Sequence, residues 1–331
     1  MGMDLRRFGL GAFVGVAVIS MLSLGFRTIG DDELTADQLV QRNLESIAAS
    51  KALKSLDSFA LRGDCAYKIV SGGSLSAAGM TQIVSKGGAY NILFQFQAGD
   101  LGATQYVTNG KKAETRLSAG AQMGPLRNFM EGYDVLLTEG LLGGELSTAW
   151  SLFDLKRHKP KLSYEGLQDV NGQKLHRLDY RIRKGGKGIQ VRLYFEPETF
   201  HHVMSTYEVR QSAPASSDPD QSSQQRVSRQ RLEERFADFK NLEGYVLPTT
   251  WTLLFTSSGN DAGVVQSSPA LAGAGPSVGS VNAAPGGLGA AGSASRGIPG
   301  SSGGTIILEW TTKVTNSGAN MPFPPNLITI K

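Results

Sequence analysis

From residue 58 onward the apolar side chains of this chain fall on alternate positions, and that period of two constrains the fold more than any single residue. Over 58–70, Phe59, Leu61, Cys65, Tyr67 and Ile69 share one side, while Arg62, Asp64 and Lys68 share the other. The alternation returns in Tyr90, Ile92, Phe94 and Phe96, in Leu178, Tyr180 and Ile182, and in Ile189, Val191, Leu193 and Phe195. It returns again in Trp251, Leu253 and Phe255, and in Ile306, Leu308 and Trp310. A strand wet on one face and apolar on the other belongs to an antiparallel sheet laid over a core. The expected architecture is therefore a curved antiparallel sheet whose inner face is rich in aromatic and branched side chains.

The start of the chain sets the compartment. Arg6 and Arg7 precede an unbroken apolar run over 8–26, closed by Arg27, Asp31, Asp32 and Glu33. A basic segment followed by an apolar stretch is the pattern of an export signal. The run exceeds the roughly 7–15 residues of a signal core and is about long enough to span a bilayer. Two fates stay open for residues 1–30: cleavage after Ser23 and Gly25, or retention as a membrane anchor. In either case the two arginines hold the N-terminus on the cytoplasmic side and the remainder is exported. Cys65 is the only cysteine, so no intramolecular disulfide forms and no lipid-modified cysteine follows the run.

The remaining 31–331 reads as one domain with two inserts. Segments 211–230 and 257–304 are dominated by Gln, Ser, Gly, Ala and Pro, which bury too little apolar surface to offset the entropy of ordering. Strand-like segments flank both, so each reads as a grown hairpin tip, whose closure entropy rises only logarithmically with length. The formal charge is +4, and without the leader 30 basic residues face 28 acidic ones. No basic field draws the chain to nucleic acid.

Two helical zones interrupt the strands. Thr35 with Gln38 forms a capping-box pattern and Leu34 with Leu39 a hydrophobic staple, opening a helix over 35–50 with an apolar face of Leu39, Val40, Leu44, Ile47 and Ala48. Mid-chain, Pro125 suits a first helical turn, and Leu126, Phe129, Met130, Tyr133, Leu136 and Leu137 follow at helical spacing. After Gly143 and Gly144, the spacing of Leu146, Trp150 and Phe153 predicts another short helix. These pieces either fill the core or form a lid over a cavity.

Three segments carry a family resemblance. They are YEGLQDVNGQKLHRLDY from Tyr164, LYFEPETF from Leu193 and FADFKNLEGYVLP from Phe236. Their turns resemble the strand-turn-strand pattern of the LolA/LolB-like superfamily of periplasmic lipoprotein carriers. Turn chemistry independently favours Asn171-Gly172 and Glu243-Gly244 at hairpins. The resemblance implies an α+β fold in which the curved antiparallel sheet forms an incomplete β-barrel covered by a few helices. It also implies a periplasmic location and an apolar cavity that receives the acyl chains of a lipid or lipoprotein, passed on to a membrane or an envelope transport partner.

Binding of that kind needs no chemistry and no cofactor. Burying an acyl chain yields about 0.8 kcal/mol per CH₂ group. The residues expected to line the hollow are Phe59, Leu61, Tyr67, Ile69, Phe94, Phe96, Trp251, Phe255, Leu308 and Trp310, with Leu136, Leu137, Leu141 and Leu142 in the flap. Arg181, Arg183, Lys184 and Lys187 surround Gly185, Gly186 and Gly188 as a basic hairpin tip suited to anionic head groups, at about 1 kcal/mol per basic residue.

Enzyme readings find little support. Adjacent His201 and His202 on a strand point to opposite faces and cannot share a metal. Ser74 lacks the last glycine of a nucleophile elbow. A carrier, an envelope scaffold binding another protein, and a hydrolase without a legible motif are the three readings the sequence leaves. A scaffold would show a filled core.

Overall fold

The computed structural model describes residues 34–97, 101–121, 124–186, 188–212, 227–258 and 305–330. The leader at 1–30, Lys187 and the centres of both inserts lie outside the described residues.

Twelve strands form one antiparallel sheet in the order β5-β4-β3-β2-β1-β12-β11-β10-β9-β8-β7-β6. They are β1 (Ser58–Ser71), β2 (Ser76–Lys86), β3 (Ala89–Phe96), β4 (Ala103–Thr108), β5 (Ala113–Leu117) and β6 (Lys161–Val170). The others are β7 (Gln173–Arg181), β8 (Ile189–Phe195), β9 (His202–Ser212), β10 (Val227–Leu242), β11 (Tyr245–Ser258) and β12 (Thr305–Ala319). Consecutive strands pair except β5 with β6, and β12 also joins β1, which brings the two arms of the meander together. The order ends at β5 and β6, so the barrel is incomplete.

The sheet is strongly curved. Phe94 on β3 and Trp251 on β11 are four strand steps apart, about 19 Å along a flat sheet at ~4.8 Å per step. Their rings nevertheless stack with centroids 5.8 Å apart. At the seam β1 shifts register between Arg62 and Gly63, and a Cβ at Gly63 would sit 2.3 Å from the Lys313 carbonyl oxygen. Only glycine admits that approach. Asn171 and Gly172 (φ 54° and 82°) turn β6 into β7, and Glu243 and Gly244 (φ 56° and 92°) turn β10 into β11. Both are two-residue hairpins of the kind the sequence signals.

Burial along β1 follows the expected alternation, with Phe59, Leu61, Cys65 and Tyr67 buried and Arg62, Asp64 and Lys68 exposed. Strands β2, β4 and β5 carry no clear period; β5 is half-buried throughout and is held by pairing with β4 rather than by an apolar face. β9 continues through Ser212 and β10 starts at Val227, so 211–212 and 227–230 are ladder, with Val227 opposite Ser212 and Arg229 opposite Arg210. β11 likewise runs through 257–258. Backbone pairing extends the strands past the point where composition turns polar.

The first helix is shorter than expected. α1 (Ala36–Ile47) begins with the capping box, Gln38 N to Thr35 Oγ1 at 3.2 Å and Thr35 N to Gln38 Oε1 at 2.8 Å. Ala48 is extended, and α2 (Ser50–Ser55) restarts after it. Mid-chain, α3 (Pro125–Gly132) and α4 (Val135–Thr138) are separate, because Tyr133 leaves helical geometry. The expected third helix is instead two single turns, Gly144–Leu146 and Ser151–Asp154, followed by α5 (Leu155–His158). Gly143 with φ 81° and extended Ser147 break it up.

Candidate functional site

The concave face is covered by a cap made of α3, α4 and the turns that follow. α3 presents Leu126, Phe129 and Met130 inward, α4 presents Val135, Leu136 and Leu137, and Leu141, Leu142, Leu146, Trp150 and Leu152 continue the apolar layer. All join a single core cluster with the inner face of the sheet. The sheet curls around this cap because its own inner face cannot be buried otherwise.

Beneath α3 the packing leaves a hollow of about 90 Å³, lined on the sheet side by Tyr67, Phe94, Phe96, Tyr106, Leu308 and Trp310 and on the cap side by Pro125 and Leu126. The rings interlock: Tyr67 lies 5.9 Å from Phe96 and 5.0 Å from Trp310, and Phe94 lies 6.4 Å from Tyr106. Sites for drug-sized ligands run about 300–1,000 Å³, so an acyl chain enters this concavity only if the cap moves. A larger groove of about 420 Å³ between the start of α1 and Pro160 is an open surface feature away from the aromatic face.

Of the residues expected to line a hollow, Tyr67, Phe94, Phe96, Leu308 and Trp310 border this one. Phe59, Leu61, Trp251 and Phe255 lie in the same core but are fully packed, and Ile69 packs at its margin. Leu136, Leu137, Leu141 and Leu142 are buried in the cap against the sheet. Arg181, Arg183 and Lys184 are exposed around the β7–β8 turn.

The sequence did not single out the polar groups that hold the cap. Glu234 on β10 is fully buried. Its Oε1 accepts from Gly143 N at 2.8 Å and Trp251 Nε1 at 2.9 Å, and its Oε2 lies 2.5 Å from the Tyr207 hydroxyl. That hydroxyl also reaches Leu141 O at 2.8 Å. Burial pushes the Glu234 carboxyl up to about 7, partly offset by these hydrogen bonds. A second anchor joins cap to β7: Tyr180 donates to Glu139 Oε2 at 2.8 Å and also bonds Ser151 Oγ, and His158 Nδ1 approaches the same Glu139 oxygen at 3.3 Å.

Two further buried groups lie along the cap. Glu145 is 3% exposed, and neither carboxylate oxygen has a hydrogen bond among the described residues. Burial drives its carboxyl well above the usual range, with Asn43 offsetting part of the effect. His202 is sandwiched against Trp150, Phe195 and Phe236, its Nε2 is 2.9 Å from Ser205 Oγ, and burial lowers it to about 3, so the ring is neutral. A glutamate reads as surface in a sequence; an inward parity on β10 is the one signal that could have marked Glu234, because Leu232 and Phe236 share its face.

Cys65 is buried beside Thr81 and Thr312, and burial raises its thiol, the state of an inert cysteine. Among the described residues no three His, Cys, Asp or Glu side chains converge as metal ligands.

Neither a protein-family model nor a curated protein sequence matches the chain. Among solved structures it is similar to the LolA superfamily protein NE2245 from Nitrosomonas europaea, at 12% identity over 89% of this chain and 98% of that one, with a TM-score of 0.42. A putative outer membrane lipoprotein-sorting protein domain from Vibrio parahaemolyticus is 11% identical over 88% of this chain and 96% of that one, TM-score 0.39. A DUF1329 family protein from Desulfovibrio piger is 10% identical over 89% and 97%, TM-score 0.42. The incomplete barrel with its few helices is the fold expected from the hairpin motifs.

Proposed function

We propose that this chain is a non-catalytic periplasmic carrier that holds the acyl chain of a lipid or lipoprotein between the curved sheet and its cap. The observation that carries this reading is the aromatic hollow under α3, bordered by Tyr67, Phe94, Phe96, Leu308 and Trp310 together with the polar Thr104 and Arg127. The structure is then the closed, unloaded state. Loading lifts α3 and α4, and the acyl chain replaces their apolar contacts at about 0.8 kcal/mol per buried CH₂ group. Export by the leader brings the domain to the envelope, where the tip at Arg181, Arg183, Lys184 and Lys187 rests on anionic head groups during transfer.

Gentle purification from the native envelope followed by mass spectrometry of folded and unfolded protein tests this. A lipid released only on unfolding supports the carrier. A folded protein that stays empty after incubation with membranes overturns it.

One observation favours a second reading. Away from the hollow the concavity is packed, with Phe59, Leu61, Trp251 and Phe255 all at or below 2% exposure. A filled core is what an envelope scaffold that binds another protein would have, and an empty protein in the same experiment would move the assignment there.

A further inference from the structure

The lining of the hollow is not uniform. On the β1–β12 side it is Tyr67, Leu308 and Trp310, and β3 adds Phe94 and Phe96. Toward β5, β4 contributes Thr104 as well as Tyr106, and α3 contributes Arg127 beside Leu126. Thr104 pairs with Leu117 and Tyr106 with Thr115 on β5, the last strand of that arm, so this end of the hollow lies at the edge of the sheet. Among the described residues that line the hollow, Arg127 is the one charged side chain.

Arg127 stands in the first turn of α3, next to the buried face that Leu126, Phe129 and Met130 form, and its side chain is 18% exposed. Its Nε donates to Glu131 Oε1 at 2.6 Å, one helical turn on, and among the described residues that is its one hydrogen bond. An exposed pair at this spacing adds little to stability. A guanidinium has five donors, so both Nη groups remain for an acceptor presented from the hollow. The two charges lie close to Tyr106: burial raises that hydroxyl, Arg127 lowers it and Glu131 raises it. The dipole of α3 adds to the sign of Arg127, because Gly124 and Pro125 at its N-terminus also line the hollow.

We propose that Arg127 is the head-group anchor of the acyl site: an acyl chain lies among Tyr67, Phe94, Phe96 and Trp310, and the anionic group at its end, a carboxylate or a phosphate, pairs with the Arg127 guanidinium at the β4–α3 rim. The anchor rests on the carrier reading and narrows its cargo from acyl chains in general to those that end in an anion. The forked donors of arginine match an acceptor with two oxygens. Beside an aromatic wall that attraction is screened less than in water. A neutral ester offers a carbonyl alone and gains no such pairing. Glu131 competes for the same guanidinium, so it weakens the anchor. Because Arg127 belongs to α3, the helix that lifts for loading carries the anchor back to the head group when it closes.

Titration of the full chain with a fluorescent fatty acid and with its methyl ester, both below their micelle-forming concentrations and at neutral pH, tests the anchor. Wild type should bind the acid roughly tenfold tighter than the ester. Arg127→Met should shrink that gap to about twofold or less, Arg127→Lys should keep part of it, and Glu131→Gln should widen it. Equal affinity for acid and ester in wild type, or a gap that survives Arg127→Met, overturns the anchor and leaves the carrier standing. Should Arg127→Met fail to fold, Glu131→Gln decides, and an unchanged gap there overturns the anchor. A wild-type protein that takes up neither probe removes the carrier and the anchor with it. Stronger displacement of the bound acid by palmitate than by lysophosphatidic acid assigns the anion as a carboxylate, and the reverse as a phosphate.

Discussion

The two arms of the concave face meet the cap in opposite ways. On the β1–β4 arm, with β12, α3 meets rings and leaves space, with Tyr67, Phe94, Phe96, Tyr106 and Trp310 around the hollow, and the later turn is tied by Thr148 N to Ser85 Oγ and Thr148 Oγ1 to Gly87 O, both at 3.0 Å. On the β7–β11 arm it meets a dense seam of buried hydrogen bonds from Tyr180, Tyr207, Glu234 and Trp251. Apolar contacts slide at little cost because they have no direction, whereas buried polar bonds must be kept or replaced. The difference gives the cap a held segment over 139–143 and, ahead of it, α3 and α4, which are the part that lifts.

The largest effect should come from the side chain that serves both arms. Trp251 stacks on Phe94 and donates to Glu234, so Trp251→Ala should cost about 4 kcal/mol in denaturant unfolding. A loss under about 1 kcal/mol would mean the arms are not joined there.

Phe96→Ala isolates the side under α3. It should cost about 3 kcal/mol, by the same amount at every pH, and should enlarge the hollow without touching the seam. A pH-dependent cost would break the division between the arms.

The held segment should answer to pH. Glu234 has a native carboxyl value near 7 against an ordinary 4.5, so the native state holds a proton that the unfolded chain releases between those values. Its contribution is full below about pH 4.5 and falls as pH rises through about 7, by roughly 3 kcal/mol in all. His202, neutral in the native state down to about 3, acts with the opposite sign, losing stability as pH falls below about 6.5. The quantity to measure is therefore the stability difference between wild type and Glu234→Gln across that window. Wild type should fall behind the variant as pH rises; parallel curves would contradict a protonated Glu234.

The smallest effect on stability belongs to neutralising Arg181, Arg183, Lys184 and Lys187, which should leave unfolding within about 0.5 kcal/mol of wild type. Binding to phosphatidylglycerol vesicles, and its salt sensitivity, should weaken if the tip docks on membranes, and unchanged binding would reject that role.

The legibility of the molecule follows the same division. Strands β1, β3, β7, β8, β11 and β12 show themselves because one face is apolar, and the Thr35 capping box and the Asn171-Gly172 turn are local chemistry that any context preserves. β2, with Gly79 and Met80 in its middle, and the short half-buried β5 depend on partners far along the chain, so no window of sequence reveals them. The burial of the aromatic side chains was readable for the same reason as the strands. The polar seam was not, because Glu234 and Glu145 look like surface residues until Tyr207, Trp251 and the cap close over them.

A disulfide that fixes the cap tests most directly whether it must lift. A Cβ at Gly185 would lie 3.6 Å from the Cβ of Val135 on α4, within the ~3.5–4.5 Å span of a disulfide. Val135→Cys with Gly185→Cys, in a Cys65→Ser background, would tie α4 to the β7–β8 turn when oxidised; Gly185 has a φ of 78°, so cysteine there is strained and the reduced double variant is the reference. Uptake of a fluorescent fatty acid should vanish in the oxidised protein and return on reduction. Equal uptake in both states would contradict an acyl site opened by the cap.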